Sequence, residues 1–227
     1  MAIKLLFKIA SRNRPLLLFK SLDNLIKNLS NNDDYLIIIS LDSDDSSMCN
    51  REVITKLNIY SKLHNINFFI SPSESKVSSL NRDIDKANID WDTVINFTEY
   101  IDFCVMGFDN IIRNMESTPY ALGKLKSKVI AIKSINNDGK DHKKIYMVGR
   151  NVYNSRGYLY NPKFKSVLYK GELEKLSAKE FNNEPLNPVF NYRHSDWFYY
   201  KADDTTKNKM NTWKEDLKTL ETINNEN

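Results

Sequence analysis

The segment LDSDDSS, residues 41–47, places three carboxylates in a polar loop directly after an apolar run. Carboxylate oxygens crowded in this way can bind a divalent cation, or one of them can accept hydrogen bonds from a base or a sugar. Asp and Ser are also the residue types that cap helix N-termini, and a helix is predicted to begin near Glu52. Cation site, nucleoside contact and helix cap all stay open at this point.

Other charged residues also follow apolar runs. Arg12 and Arg14 come after the run at residues 3–10, and Glu99 comes after the run at residues 93–97. If these runs are parallel strands, their carboxyl ends meet at one edge of a sheet, which is where open α/β sheets bind ligands. The order of apolar runs therefore predicts a ligand site beyond the carboxyl ends of the strands.

The elements that must position these residues form an α/β fold. The first half alternates short apolar runs with amphipathic segments, as in βαβ units with a mainly parallel sheet flanked by helices. The predicted strands cover 3–10, 35–41, 66–70 and 93–97, and the predicted helices cover 15–29, 52–63 and 75–87. The second half predicts an antiparallel lobe: a helix at 108–115, strands at 128–133 and 144–148 joined by a turn at 136–139, a helix at 171–180, a strand at 188–193 and a terminal helix at 203–223.

Composition narrows the classes of function. The chain has 227 residues, of which 41% are hydrophobic and 27% are charged, as in a folded globular protein. Its six glycines show neither G-x-G-x-x-G nor P-loop spacing, which disfavours dinucleotide-binding and P-loop enzymes, and a net charge of +4 does not favour nucleic acid as the default partner. Cys49 and Cys104 indicate buried, reduced thiols and a cytoplasmic protein, and no apolar run is long enough for a membrane span.

The order of the motifs resembles a nucleotide-sugar glycosyltransferase of the GT-A fold, in the short form related to family two and frequent in bacteriophages. The motifs are FKIASRNRP at 7–15, YLIIISLDSDDSSMCN at 35–50, SESKVSSLNRDI at 73–84 and DTVINFTEYIDF at 92–103, followed by 147–166 and YRHSDW at 192–197. The resemblance implies a GT-A-like, Rossmann-like fold whose donor-binding residues are Arg12, Arg14, Asp42, Asp44, Lys76 and Asn81. In this family the acidic residue that ends the second strand contacts uracil or ribose, which assigns that role to Asp42.

The resemblance also implies a pair of metal-binding carboxylates after the fourth strand, where this chain has Thr98-Glu99-Tyr100. Glu99 remains as the candidate metal ligand, with His194 as a second candidate that a structural role explains equally well. A divalent cation, Mn²⁺ or Mg²⁺, is expected to be held weakly, so that fixed cations such as Arg12 or Lys76 take over part of the diphosphate charge.

The acceptor half resembles the family through one acidic residue, Glu172, in place of a longer acidic motif. Glu172 is the candidate general base of an inverting transfer, in which it would remove the proton of the acceptor hydroxyl. A carboxylate in the first turn of a helix is also favourable to the helix dipole, so a structural role stays open.

These residues predict an enzyme that moves a sugar from a nucleoside diphosphate sugar, a UDP-sugar, to a hydroxyl acceptor. One alternative is a catalytically inactive relative that serves in binding or virion assembly, because Tyr100 and Lys170 stand where carboxylates are expected. Another is a phage enzyme that glycosylates modified DNA bases, with nucleic acid as acceptor only. Four tyrosines would then form an aromatic wall unless they are packing residues: Tyr153, Tyr158, Tyr160 and Tyr169.

The predicted organisation is one GT-A-like domain over 1–200, with a nucleotide-binding half over 1–105 and an acceptor half over 106–200. Residues 201–227 are predicted as a terminal helix with a polar tail. The predicted location is the cytoplasm, that of the host if the protein is phage-encoded.

Overall fold

The computed structural model describes residues 4–30, 33–115, 125–134, 144–165, 170–180, 186–192, 215–219 and 222. The strands are β1 (Leu5–Ser11), β2 (Tyr35–Asp42), β3 (Ile66–Ser71), β4 (Thr93–Asn96), β5 (Ile101–Phe103), β6 (Val129–Ser134), β7 (Lys144–Gly149) and β8 (Leu186–Tyr192). The helices are α1 (Pro15–Asn28), α2 (Arg51–Leu63), α3 (Lys76–Asn81), α4 (Phe108–Asn114), α5 (Arg150–Arg156) and α6 (Gly171–Glu180).

Within the described ranges the strands form one eight-stranded sheet in the order β3-β2-β1-β4-β7-β6-β8-β5. The four strands β3, β2, β1 and β4 are parallel to one another. Beyond them β7 is antiparallel to both β4 and β6, β8 is parallel to β6, and β5 is antiparallel to β8. The predicted α/β fold, with a parallel first half and an antiparallel addition, is confirmed.

Helices cover both faces of the parallel strands because successive residues of a strand point in opposite directions. Leu5, Phe7 and Ile9 pack into a core that includes side chains of α1, α2 and α4. Leu6 packs into the core on the other face, which includes side chains of α3, α5 and α6. Strands buried on both faces read as continuous apolar runs, and this explains why β1 and β2 are recognisable in the sequence.

The continuous helix predicted over 75–87 is wrong. α3 ends at Asn81, and a 3-10 turn at Ile84–Lys86 follows Asp83, which has the left-handed φ of 73°. The break allows the side chains of Arg82 and Asp83 to bond to residues of β2 and to the end of β3. Contacts between segments that are distant in the sequence therefore override the helical spacing of the apolar residues.

Two elements are absent from the sequence prediction. β5 has three residues and carries no alternation long enough to read, and α5 has a short apolar face with Tyr153 as its buried residue. Both cysteines are free, as expected, but Cys104 is exposed and Cys49 is half-buried, so the prediction of two buried thiols is wrong. No helix of the described ranges is both long and apolar enough to span a bilayer.

The terminal helix is described over 215–219 and at 222, where its residues are helical. The Asp216 carboxylate is buried and accepts a hydrogen bond of 2.7 Å from the backbone nitrogen of Lys165, so this segment packs on the rest of the chain. The predicted turn at 136–139 lies outside the described residues. The division into halves at residue 105 stays a prediction.

Gly149 tests the packing of the antiparallel addition. A Cβ atom at this position would lie 2.2 Å from the carbonyl oxygen of Leu125, whereas a Cβ at Gly171 would meet nothing within 4 Å. Because backbone atoms cannot rotate away, we expect Gly149→Ala to lower the free energy of unfolding by about 3 kcal/mol. Urea denaturation measures the change, and Gly171→Ala is the matched control that should leave stability nearly unaltered; equal losses in the two variants would contradict the packing described.

Candidate functional site

Loops that carry charged residues meet at one edge of the sheet because β1, β2, β3 and β4 are parallel. The loop after β1 carries two arginines, the loop after β2 carries carboxylates, α3 follows β3, and residues 98–100 follow β4. We define the candidate site as this edge with the following residues: Arg12, Arg14, Asp42, Lys76, Arg82 and Glu99.

Asp42, the last residue of β2, lies between two guanidinium groups. Its Oδ2 is 3.2 Å from Nη1 of Arg12, and its Oδ1 is 3.4 Å from Nη1 of Arg82. The side chain of Asp42 is 10% exposed and that of Arg82 is 14% exposed, while Arg12 is 45% exposed. The carboxylate is therefore held from the interior by one arginine and from the solvent side by another.

Arg82 is held in place by backbone carbonyl groups at the ends of two strands. Its Nη1 donates to the carbonyl oxygens of Ser71, at 2.6 Å, and Pro72, at 2.8 Å. Its Nη2 donates to the carbonyl oxygen of Leu41 at 2.7 Å. A guanidinium with this many fixed acceptors has little freedom to reorient.

Asp44 forms an exposed bidentate pair with Arg12, with bonds of 2.7 and 2.8 Å. The hydrogen bonds from Arg12 lower the pKa of Asp44, and those to Asp44 raise the pKa of Arg12. The Asp44 side chain is 65% exposed, so this pair adds little to stability and can open for a ligand.

The predicted helix-cap role of the loop at 41–47 is wrong, because α2 is capped by Asn50, whose side chain accepts from the backbone nitrogen of Val53. Asp45 caps a turn within the loop instead. Its buried carboxylate accepts from the backbone nitrogens of Asn13, at 2.6 Å, and Ser47, at 3.0 Å. Asn13 has a φ of 58°, and the bond to Asp45 stabilises this left-handed conformation between Arg12 and Arg14.

Glu99, after β4, is buried and faces cations. Its Oε2 lies 3.8 Å from Nη1 of Arg14, whose guanidinium lies 5.0 Å from the centre of the Tyr100 ring. Burial lowers the pKa of Lys76, the charge of Glu99 opposes this shift, and the charge of Arg14 adds to it. Lys76 is exposed as a residue, whereas the burial that lowers its pKa acts on its ammonium end, which interacts with the charges of Glu99 and Arg14.

The described side chains around Glu99 do not fit a divalent cation. Among the residues that the structure describes, no three His, Cys, Asp or Glu side chains form a group that could hold a metal ion. Arg14 and Lys76 place positive charge at Glu99, which opposes the approach of a second cation. His194, the second predicted ligand, lies outside the described residues.

Asn81 has its side-chain amide bonded to the chain that follows α5. Its Nδ2 donates to the carbonyl oxygen of Tyr160 at 2.6 Å, and its Oδ1 accepts from the backbone nitrogens of Leu159 and Tyr160. These three bonds connect α3 to the segment that follows α5. The predicted contact of Asn81 with the donor stays a prediction. In the structure the Asn81 amide bonds to the backbone of Leu159 and Tyr160.

Glu172 lies in the first turn of α6. Its Oε2 is 2.8 Å from Nη2 of Arg156, and its Oε1 accepts from the hydroxyl of Tyr158 at 3.4 Å. Lys170, just before α6, reaches the carbonyl oxygen of Lys144 at 3.5 Å. Because β7 is antiparallel to β4, its first residue lies toward the edge where β4 ends, so α6 begins on the side of the sheet that carries the candidate site.

The tyrosines of the predicted aromatic wall have different environments. Tyr153 and Tyr160 are buried, and their hydroxyl groups each contact a side-chain oxygen at 2.9 Å, in Asp85 and Asn96 respectively. These two rings are packing residues, which removes half of the four-residue wall predicted for a nucleic-acid acceptor, and Tyr169 lies outside the described residues. Tyr158 is half-buried and carries the guanidinium of Arg156 over its ring.

Comparison by sequence finds no matching family model and no matching curated protein. Solved structures match by shape. Residues 1–349 of S. aureus TarS in complex with UDP-GlcNAc superpose with a TM-score of 0.65 at 9% identity, covering 90% of this chain and 61% of that chain. A mannosyltransferase from Pyrobaculum calidifontis in complex with GDP-Man and Mn²⁺ gives 0.54 at 10% identity, covering 72% and 49%.

A third match, at a TM-score of 0.50 and 16% identity, is the 4-diphosphocytidyl-2C-methyl-D-erythritol synthase of Anaerococcus prevotii, with 85% of this chain and 88% of that chain covered. The described residues have the GT-A fold. This chain spans about three fifths of the matched TarS fragment and about half of the mannosyltransferase. At such low identity the matches establish the fold, and the activity must be argued from the residues.

Four residues at or directly beneath the candidate site were not among those predicted from the sequence: Lys8, Ser40, Arg82 and Asp83. Lys8 is fully buried in the middle of β1, and its ammonium group donates to the hydroxyl of Ser40. The sequence did contain a signal for this network, namely a lysine, Lys8, within the apolar run that forms the buried strand β1. Burial of such a charge requires a partner, so this position marks a polar network.

Lys8 gives a pH-dependent stability. Burial lowers its pKa from 10.5 to about 7, although the charge of Asp83 opposes the shift, so between these values the unfolded chain binds a proton that the folded chain has lost. The free energy of unfolding should therefore rise from pH 7 toward pH 10 relative to Lys8→Met, by at most about 1.4 kcal/mol per pH unit. Urea denaturation at pH 7, 8 and 9 measures the difference. Lys62→Met, at an exposed position, should show no such trend, and a Lys8→Met difference that is independent of pH would refute the assignment.

Proposed function

We propose that this protein is a glycosyltransferase that uses a nucleoside diphosphate sugar, with a UDP-sugar as donor. The observation that carries the proposal is the convergence of four cationic side chains, Arg12, Arg14, Lys76 and Arg82, on two buried carboxylates, Asp42 and Glu99, at the ligand edge of a GT-A fold. A diphosphate needs cations, and a nucleoside needs a fixed hydrogen-bond acceptor. The matched structures include one with UDP-GlcNAc and one with GDP-Man.

Asp42 serves the nucleoside end of the donor in this proposal. A carboxylate fixed by two guanidinium groups presents its remaining lone pairs in a defined direction, where uracil N–H or ribose hydroxyl groups can donate to it. Arg12 lies beside it at the solvent side, and its exposed pair with Asp44 can exchange for a ligand.

Arg14 and Lys76 serve the diphosphate end. Glu99 holds Arg14 through a contact of 3.8 Å and interacts with the charge of Lys76, so both cations are oriented before a ligand arrives. Preorganised cations stabilise the charge that develops on a leaving diphosphate. The matched mannosyltransferase was solved with Mn²⁺, but the described residues here supply cations at this position, and no step is assigned to a metal ion.

Glu172 is the proposed base. The acceptor hydroxyl oxygen would attack the anomeric carbon, its proton would pass to Glu172, and the bond from that carbon to the diphosphate oxygen would break to release UDP. Arg156 and Tyr158 fix the direction of the carboxylate. We also propose that transfer takes place in the cytoplasm, in line with the free thiols of Cys49 and Cys104.

A protein that binds the donor without transferring it is the second candidate. The engagement of Glu172 with Arg156 and the presence of Tyr100 beside Glu99 favour it. Hydrolysis or transfer measured with and without Glu172→Gln separates the two: a rate that Glu172→Gln lowers supports the enzyme, and no rate with intact UDP binding supports the binding protein.

Asp42 provides the first test of donor binding. We expect UDP to bind, and Asp42→Asn to weaken this binding about 10- to 100-fold, because a charged hydrogen-bond acceptor is lost. Isothermal titration with UDP, GDP and CTP measures affinity and base preference. The matched control is Asp90→Asn, since Asp90 is an exposed carboxylate paired with Arg150 before β4, at the opposite edge of the sheet. If no nucleotide binds, or if both variants bind equally well, the proposed function is wrong.

Tyr100 tests the charge balance at the diphosphate end. With Glu99 facing Arg14 and Lys76, we expect Mn²⁺ to change the affinity for UDP by less than about threefold in the wild type. Tyr100→Asp adds an anionic oxygen ligand beside Glu99 and should make UDP binding clearly dependent on Mn²⁺. Titration of UDP with and without Mn²⁺ measures this, and Tyr100→Phe is the control that keeps the ring. A strong Mn²⁺ requirement in the wild type would contradict neutralisation by fixed side chains.

A further inference from the structure

A buried chain of polar groups lies beneath Asp42 on one face of the parallel sheet. The ammonium group of Lys8 on β1 donates to the hydroxyl of Ser40 on β2, and this hydroxyl donates to the carboxylate of Asp83 at 2.5 Å. Asp83 also accepts from Nε of Arg82 at 3.0 Å and from Nζ of Lys86 at 2.6 Å. This series of hydrogen bonds thus runs from the middle of β1 to the guanidinium of Arg82, which contacts Asp42.

The alternation of side chains along β2 explains how the consecutive residues Arg82 and Asp83 can each contact a residue of this strand. Ser40 and Asp42 are two residues apart, so their side chains lie on the same face of the strand. Asp83 bonds to the first of them and Arg82 to the second. The extended backbone at Arg82 ends α3, and the left-handed backbone at Asp83, a strained conformation for a residue with a Cβ atom, follows it; together they permit both contacts at once.

Burial of these polar groups costs desolvation free energy. An amine and a carboxylate must both lose water, and apolar side chains of similar volume would stabilise the fold at least as well. Burial raises the pKa of Asp83, but hydrogen bonds from Lys86, Ser40 and Arg82 together outweigh it and lower the pKa below its usual value. The network therefore keeps a fixed negative charge directly behind Arg82.

The Asp83 carboxylate restricts the orientation of the Arg82 guanidinium. The Nε side of the guanidinium is held by Asp83, and the Nη side is held by the carbonyl groups at the ends of β2 and β3. With both sides held, the contact from Nη1 to Asp42 has one available geometry. Loss of the bond from Asp83 would leave the Nε side of the guanidinium unrestrained, and the long contact from Nη1 to Asp42, at 3.4 Å, would lose its single geometry while the carbonyl bonds remain.

We propose that Lys8, Ser40 and Asp83 are positioning residues that fix Arg82 and so orient the Asp42 carboxylate toward the nucleoside of the donor. This role rests on the proposed function, since Asp42 is assigned to the nucleoside by it. The three residues do not touch the ligand; they act through Arg82. Recognition of the nucleoside thus depends on buried groups of β1 and β2 that lie behind the binding edge.

The role can be separated from a purely structural one by comparing two ligands. UDP engages both ends of the site, whereas inorganic pyrophosphate engages the diphosphate end alone. In Ser40→Ala and Asp83→Asn we expect the affinity for UDP to fall about tenfold and the affinity for pyrophosphate to stay within twofold of the wild type. Isothermal titration measures both, and thermal unfolding shows the temperature at which each variant is folded.

Asp109→Asn is the matched control, because Asp109 is another fully buried carboxylate, bonded to Ser30 and Arg113 and placed away from the ligand edge. It should lower stability and leave both affinities unchanged. Ser40→Ala removes a single hydroxyl group and keeps the test valid if Asp83→Asn does not fold. Unchanged UDP binding in a folded Ser40→Ala variant, or equal loss for UDP and pyrophosphate, would overturn the positioning role while the proposed function stands. A wild-type protein that binds pyrophosphate but not UDP would overturn both.

Discussion

Parallel pairing of β1 with β2 and β4 is the constraint on which the candidate site depends. Because these strands run in one direction, the residues that follow them emerge at one edge, and segments separated by 30 to 90 positions in the sequence become neighbours. Arg12 reaches Asp42 and Arg14 reaches Glu99 for this reason alone. The hydrophobic residues on both faces of β1 secure the pairing, and the charged loops then need little structure of their own.

The charges at this edge are arranged in two layers. The inner layer consists of buried carboxylates, each with at least one cationic partner, as in the contacts of Asp42 with Arg82 and of Glu99 with Arg14. The outer layer contains Arg12 and Lys76, which keep contact with solvent. Buried carboxylates fix the direction of the cations, and the cations present positive charge outward. Such an arrangement suits the anionic donor of the proposed function, because fixed cations stabilise negative charge at defined positions.

The sequence predicts the parallel half of this fold well because the apolar runs of β1 to β4 and the spacing in α1 and α2 have a local cause. The break of α3 at Asn81 could not be predicted, since it depends on bonds from Arg82 and Asp83 to strands that are distant in the chain. The same reason hides the network around Lys8, because a lysine in an apolar run carries no information about its partner. Resemblance pointed to Asp42 and Glu99 at strand ends, but Tyr100 beside Glu99 shows why a motif position does not establish a metal site.

The two arginines at Asp42 differ in how easily a ligand can replace their present partners. Arg12 is 45% exposed and its other partner, Asp44, is more exposed still, so exchange of Asp44 for a phosphate or ribose oxygen costs little, as expected for a pair in high dielectric. Arg82 is 14% exposed and bound to three backbone carbonyl groups, and its removal from Asp42 would leave buried polar groups unsatisfied. Asp42 consequently keeps its inner partner and can change its outer one. A carboxylate held in this way combines a fixed direction with an accessible face, which is the requirement for recognising one edge of a nucleoside while the rest of the ligand moves into place.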